Sequence, residues 1–131
     1  MKTVGVRPSA WTSFFDAFSR RHQGWLTRLT VLDPKLGAQV VTLELPLQGV
    51  VADTRGRNIA IQLGELPDDV GHAVRNAKRV WVELGDDDSE AAVEIESADG
   101  TKAILEFRSA ILPEMVDGLA PGPPSGTPGP R

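Results

Sequence analysis

The chain has no cysteine, which excludes disulfides, thiolate metal sites and a cysteine nucleophile. A cytoplasmic location fits that composition. Tyrosine is missing too, and aromatic residues make up only 5% of the chain. A stacking platform for nucleic-acid bases would have to come from three tryptophans and four phenylalanines. No apolar run approaches the ~18 residues of a membrane span, and residues 1–10 lack the apolar centre of a secretion signal. Positive charge is also scarce. The net charge of −4 and a pI near 5.1 argue against general nucleic-acid binding. The glycines never fall in a G-x-S-x-G elbow, a G-x-x-x-x-G-K-[ST] phosphate loop or a dinucleotide fingerprint.

What is present is one domain's worth of chain: 131 residues, enough to bury about two-thirds of the unfolded surface. Its most patterned stretch is 9–31. Trp11, Phe14, Phe15 and Phe18 fall at i, i+3, i+4 and i+7, one stripe of an α-helix. Each ring, once buried, contributes roughly 1.5–3 kcal/mol. Ser9 is the expected N-cap after Pro8, and Gly24 the expected stop.

The rest reads as short strands. Residues 25–32 alternate with Trp25, Leu29 and Val31 on one face and Arg28 and Thr30 on the other, and 33–37 (D-P-K-L-G) is a turn. Gln39, Val41, Leu43 and Leu45 form the next face, opposite Val40, Thr42 and Glu44, until Pro46 ends, kinks or edges the strand. A hairpin at 54–57 leads to Ile59, Ile61 and Leu63. Residues 65–78 read as a crossing loop with one helical turn. Strands follow at 79–84, with Val80 and Val82 or else Trp81 inward, and at 92–97 and 101–108, the last two joined through Asp99-Gly100. The expected fold is α+β, mainly β: an N-terminal amphipathic helix packed on a small antiparallel sheet or partly open barrel of six to seven strands. Residues 1–8 are expected to be a flexible arm, 9–118 the single domain, and 119–131 a disordered Pro/Gly-rich tail.

Candidate chemistry is sparse. Arg20, Arg21 and His22 occupy the last helical turn, where cations favour the macrodipole; the sharper alternative is a basic patch for an anionic partner. His22 and His72 lie fifty positions apart and form no ligand spacing. Asp86, Asp87, Asp88 and Glu90 lack the glycine and final glutamate of a calcium loop and read as a solvated turn. Arg55 and Arg57 form a small basic tip. Trp25 and Trp81 could anchor a partner, although core packing is the expectation for Trp25.

Taken in order, W-x-x-F-F-D-x-F-S-R-R-H-Q-G-W-L, V-L-D-P-K-L-G-A-Q, L-P-L-Q-G-V, I-A-I-Q-L-G, R-V-W-V-E, E-I-E-S-A-D-G-T and F-R-S-A-I-L-P-E resemble a bacterial domain-of-unknown-function family of small proteins. The resemblance spans residues 11–118. It implies a single-domain bacterial protein and supplies no catalytic residues. Members carry a His/Thr-rich stretch before the R-V-W-V strand; here only His72 matches it, and 73–76 depart.

The resulting expectation is a non-enzymatic binding or protein-interaction module. Its contact surface would be Arg20, Arg21, His22 and Trp25 together with the loop around His72. An unidentified protein would be the partner, and no cofactor, metal, membrane or nucleic acid is expected. The alternatives are a metal-dependent or histidine-using enzyme built on His22 and His72 with a carboxylate, and a nucleic-acid-binding small barrel.

Overall fold

The computed structural model describes residues 2–107 apart from Thr54, Gly56 and Leu66. In chain order the elements are β1 (Lys2–Val6), a 3-10 turn (Pro8–Ala10), α1 (Trp11–His22), β2 (Leu26–Asp33), β3 (Gly37–Asp53), β4 (Asn58–Leu63), β5 (Val70–Val74), β6 (Ala77–Leu84), β7 (Glu90–Ser97) and β8 (Lys102–Phe107). The strands make one antiparallel sheet in the order β1-β6-β7-β8-β2-β3-β4-β5, which does not close. The mainly-β reading with one N-terminal helix holds. The expected tail at 119–131 lies outside the described residues.

Two of the eight strands, β1 and β5, are not among those expected. Residues 2–6, expected to be part of a loose arm, pair with β6 from Lys2↔Leu84 to Val6↔Val80. This strand is exposed over most of its length. Its ladder holds it, together with the Trp11 Nε1–H, which donates to the Val6 carbonyl at 2.8 Å. Residues 70–74, expected to be loop, pair with β4 from Ile59↔Val74 to Leu63↔Val70. A histidine at the centre of its face and a glycine beside it had hidden the alternation.

The helix begins differently from the sequence expectation. Ser9 is not the cap: it lies inside the 3-10 turn, and Ala10 occupies the cap position without a side-chain bond. The turn takes the place of the cap, with the Ala10 N–H donating to the Arg7 carbonyl at 2.9 Å and the Trp11 N–H to Pro8. The other end follows expectation, with Gly24 at φ +87. Trp11, Phe15 and Phe18 are fully buried and Phe14 half-buried. His22 continues the stripe by one turn and is 5% exposed. These rings share one core with Leu29, Leu47, Val50, Ile59, Ile61, Leu63, Val80, Val93, Ile95 and Leu105.

β3 gives the sheet its shape. As far as Pro46 it pairs with β2, and from Leu47 onward it pairs with β4. The edge that β2 leaves beyond Pro46 is taken over by the helix. The Gly24 N–H donates to the Leu47 carbonyl at 2.8 Å. The Ser19 hydroxyl accepts from the Val50 N–H at 2.8 Å and donates to the Val50 carbonyl at 3.1 Å. Earlier in the strand two register shifts and Glu44 at φ +51 break the regular alternation. The apolar members of the expected alternating set therefore do not face the core there. Thr42 turns inward at 8% exposure, whereas Val41 and Leu43 stand outside at 42% and 59%.

Two substitutions test this packing. Phe18→Ala should cost about 3–5 kcal/mol in urea unfolding, because a buried ring is lost and a cavity remains. Thr42→Val should raise stability by about 1 kcal/mol, because the Thr42 Oγ1 is buried with no hydrogen-bond partner. An unchanged urea midpoint for either variant would contradict the burial described.

Candidate functional site

The last turn of α1 and the residues just after it bring three of the expected site residues together. Arg21 clamps Glu90 at the start of β7, with Nη2 donating to Oε2 at 2.7 Å and to Oε1 at 2.8 Å. His22 Nδ1–H donates to the Phe18 carbonyl at 3.0 Å, which fixes the tautomer, and Nε2 lies 3.5 Å from Glu90 Oε1. The imidazole stacks on Phe107 with ring centres 4.4 Å apart, and Trp25 meets both rings edge-on at 4.6 and 5.1 Å. Arg20 is directed elsewhere, to Asp16 at 2.6 Å. His72 sits on β5 opposite Ile61, half-buried.

Trp25 is not a core residue: 41% of it is exposed. The strand period restarts at Thr27, which is fully buried and donates its hydroxyl to the Leu45 carbonyl at 2.7 Å. That leaves Trp25 and Leu26 outside the core, with Leu26 at 43% exposure.

The charges of this corner are matched internally. Both arginines already hold a carboxylate, so the last turn offers little free charge to an anionic partner. Burial lowers the His22 pKa, outweighing the upward pull of the Phe18 carbonyl and Glu90, and Arg21 adds to the lowering. Burial lowers His72 as well. Both imidazoles are therefore neutral at pH 7. Among the described residues no three histidine, aspartate or glutamate side chains are grouped to hold a metal. The acidic turn before β7 caps itself: Asp87 Oδ1 accepts from the Ser89 hydroxyl at 2.6 Å and from its N–H at 3.0 Å, which holds the Asp87 carboxyl below its ordinary range.

Two features had no signal in the sequence. On the outer face of β6–β8, Glu94 is pushed up to about 7 by a hydrogen bond with the Glu83 carboxyl, then by burial and the charges of Glu83 and Glu106, against Lys102. Register alone brings these carboxylates together, since Ala92 faces both Glu83 and Glu106 from the neighbouring strands. The second feature is a one-sided strand. Among the described residues, the stretch 37–43 has a strand neighbour in β2 only, because β4 joins β3 at Leu47. Val40, Val41 and Leu43 are exposed there at 47%, 42% and 59%. Leu26, which pairs with Pro46, and Trp25 just before it are exposed on the same strand pair.

The chain belongs to the family of unknown function DUF5335, whose model matches residues 3–115. An uncharacterized protein of the bacterium Aquifex aeolicus (strain VF5) is 30% identical over 115 residues, covering 87% of this chain and all of the relative. No solved structure matches. Among the described residues no helix is long and apolar enough to cross a membrane.

His22 generates a pH test. Its pKa is lower in the folded than in the unfolded chain, so its contribution is complete above the unfolded value near 6.5 and is lost as pH falls through the folded one. The stability gap between the native chain and His22→Phe should therefore shift toward the variant on going from about pH 7.5 to about pH 5.5. Urea midpoints at the two pH values measure it, and a gap independent of pH would contradict the burial of a neutral imidazole.

Proposed function

We propose that this member of the DUF5335 family is a non-enzymatic protein-interaction module that receives an extended apolar segment of a partner along β3. The observation that carries the reading is the one-sided strand pairing of residues 37–43 among the described residues, a stretch with three exposed apolar side chains. An unpaired strand edge offers backbone N–H and C=O groups that an added strand satisfies, while side chains on alternate positions supply selectivity. Trp25 and Leu26, exposed on the same strand pair, give the partner an aromatic anchor held on Phe107.

The same geometry favours a different protein over a second copy of this chain. The register shifts and the left-handed backbone at Glu44 kink the edge, so two copies do not meet as flat, matching strands. Arg20 and Arg21, paired within the molecule, form the rim of this surface and not its anchors. In this reading His72, on the terminal strand β5, is not part of the contact surface.

A photo-crosslinking amino acid at Leu43, with Val51 as control, tests the proposal in native cells. Val51 is 67% exposed on the half of β3 paired with β4. The expected result is a discrete crosslinked protein from position 43 but not from position 51, with the yield reduced several-fold by Trp25→Ala. No adduct at 43, or the same adducts from both positions, would overturn it.

A further inference from the structure

Four chain segments bring positive charge with no ion-pair partner among the described residues to one end of the molecule. Arg7 lies between β1 and the 3-10 turn, Arg55 and Arg57 in the β3–β4 hairpin, Arg75 after β5, and Lys78 at a register shift in β6. Backbone contacts hold these segments together. The Ala77 N–H donates to the Arg57 carbonyl at 2.7 Å, and the Asn76 N–H donates to Asn58 Oδ1 at 3.3 Å. Arg57 lines a cleft with Pro8, Ser9 and Trp11, which brings the hairpin beside the segment that contains Arg7.

All five cations are exposed, and none has an ion pair with a carboxylate among the described residues. Lys2, Arg20, Arg21 and Arg79, by contrast, each hold one. The nearby carboxylates keep their charge but are directed to their own turns or pairs, and no ion pair joins them to the five cations among the described residues. Asp53 accepts from the Arg55 N–H at 3.0 Å, Asp99 from the Ser97 hydroxyl and the Thr101 N–H, and Glu96 lies 3.7 Å from Arg79. A chain with net charge −4 thus keeps a concentration of free positive charge at this end. Arg57 also holds φ +55, a backbone state that favours glycine, so its side chain is kept there against local preference.

We infer that this end binds a short chain of linked phosphates, such as pyrophosphate, tripolyphosphate or the phosphates of a nucleotide. Guanidinium forks match phosphate oxygens in pairs, and four arginines with a lysine exceed what a single phosphate needs. Trp11, the aromatic ring at the cleft, is 1% exposed and offers no stacking face, so the phosphates themselves are what is recognised. A long nucleic acid fits less well, because it needs stacking platforms along a positive groove and would run onto an acidic body.

Titration of the full chain with tripolyphosphate, read by calorimetry and amide chemical shifts, tests the inference. The expected result is saturable binding that weakens from ~50 to ~200 mM salt. Shifts should concentrate at residues 7–11, 55–58 and 75–78. Arg57→Gly should weaken binding at least about tenfold while the protein melts no lower, since glycine suits that backbone. Arg75→Gln should do likewise, and Arg28→Gln, an exposed cation on β2, should change nothing. Undetectable binding, shifts scattered over all basic residues, or Arg57→Gly binding unchanged would overturn the inference. So would a single-stranded DNA oligonucleotide that binds more tightly than tripolyphosphate at the higher salt.

Discussion

Burial of Trp11, Phe15 and Phe18 beneath the sheet is the constraint from which the rest of the architecture follows. An eight-stranded antiparallel sheet that does not close needs something to cover its inner face, and this helix supplies the aromatic side chains that do so. Its position then determines where β3 can find partners. Beyond Pro46 the helix occupies one edge of β3 through Gly24 and Ser19, and β4 takes the other. Before Pro46 the first of these edges belongs to β2, and the opposite one, which β4 takes only from Leu47 onward, has no strand on it among the described residues.

The candidate corner follows from the same packing. The aromatic stripe does not stop at Phe18 but passes through His22 to Phe107 and Trp25, so the rings reach from the core to the surface at one point. A neutral imidazole is consistent with this role: an uncharged ring can stack on Phe107 and pack against Phe18 at little desolvation cost. The neighbouring charges hold the corner in place. Arg21 on Glu90 ties the end of the helix to the start of β7.

The helix, the turns at Gly37 and Gly100 and the buried triplet Ile59, Ile61 and Leu63 were legible in the sequence, since each depends on local periodicity or on a glycine at positive φ. What escaped was set by partners distant in the chain. β1 has too little apolar character to announce itself and exists because β6 offers it a ladder. Which side of β3 is buried did not follow from its apolar pattern, because bulges change which side a residue takes and alternation alone does not register them. Ser9 resembled a cap, yet proline at the preceding position started a 3-10 turn that made a cap unnecessary. The site was legible in part: Arg21, His22 and Trp25 do converge, but their pairing with Glu90 and Phe107 depends on strands more than sixty residues away.

Native-state hydrogen exchange along β3 tests the central account most directly. It predicts that the amides of Leu47 and Val50, bonded to the Trp25 carbonyl and the Ser19 hydroxyl, exchange only with global unfolding, while outward-facing amides of residues 38–45 exchange orders of magnitude faster. Uniform protection along the whole strand, or rapid exchange at Leu47 and Val50, would contradict it.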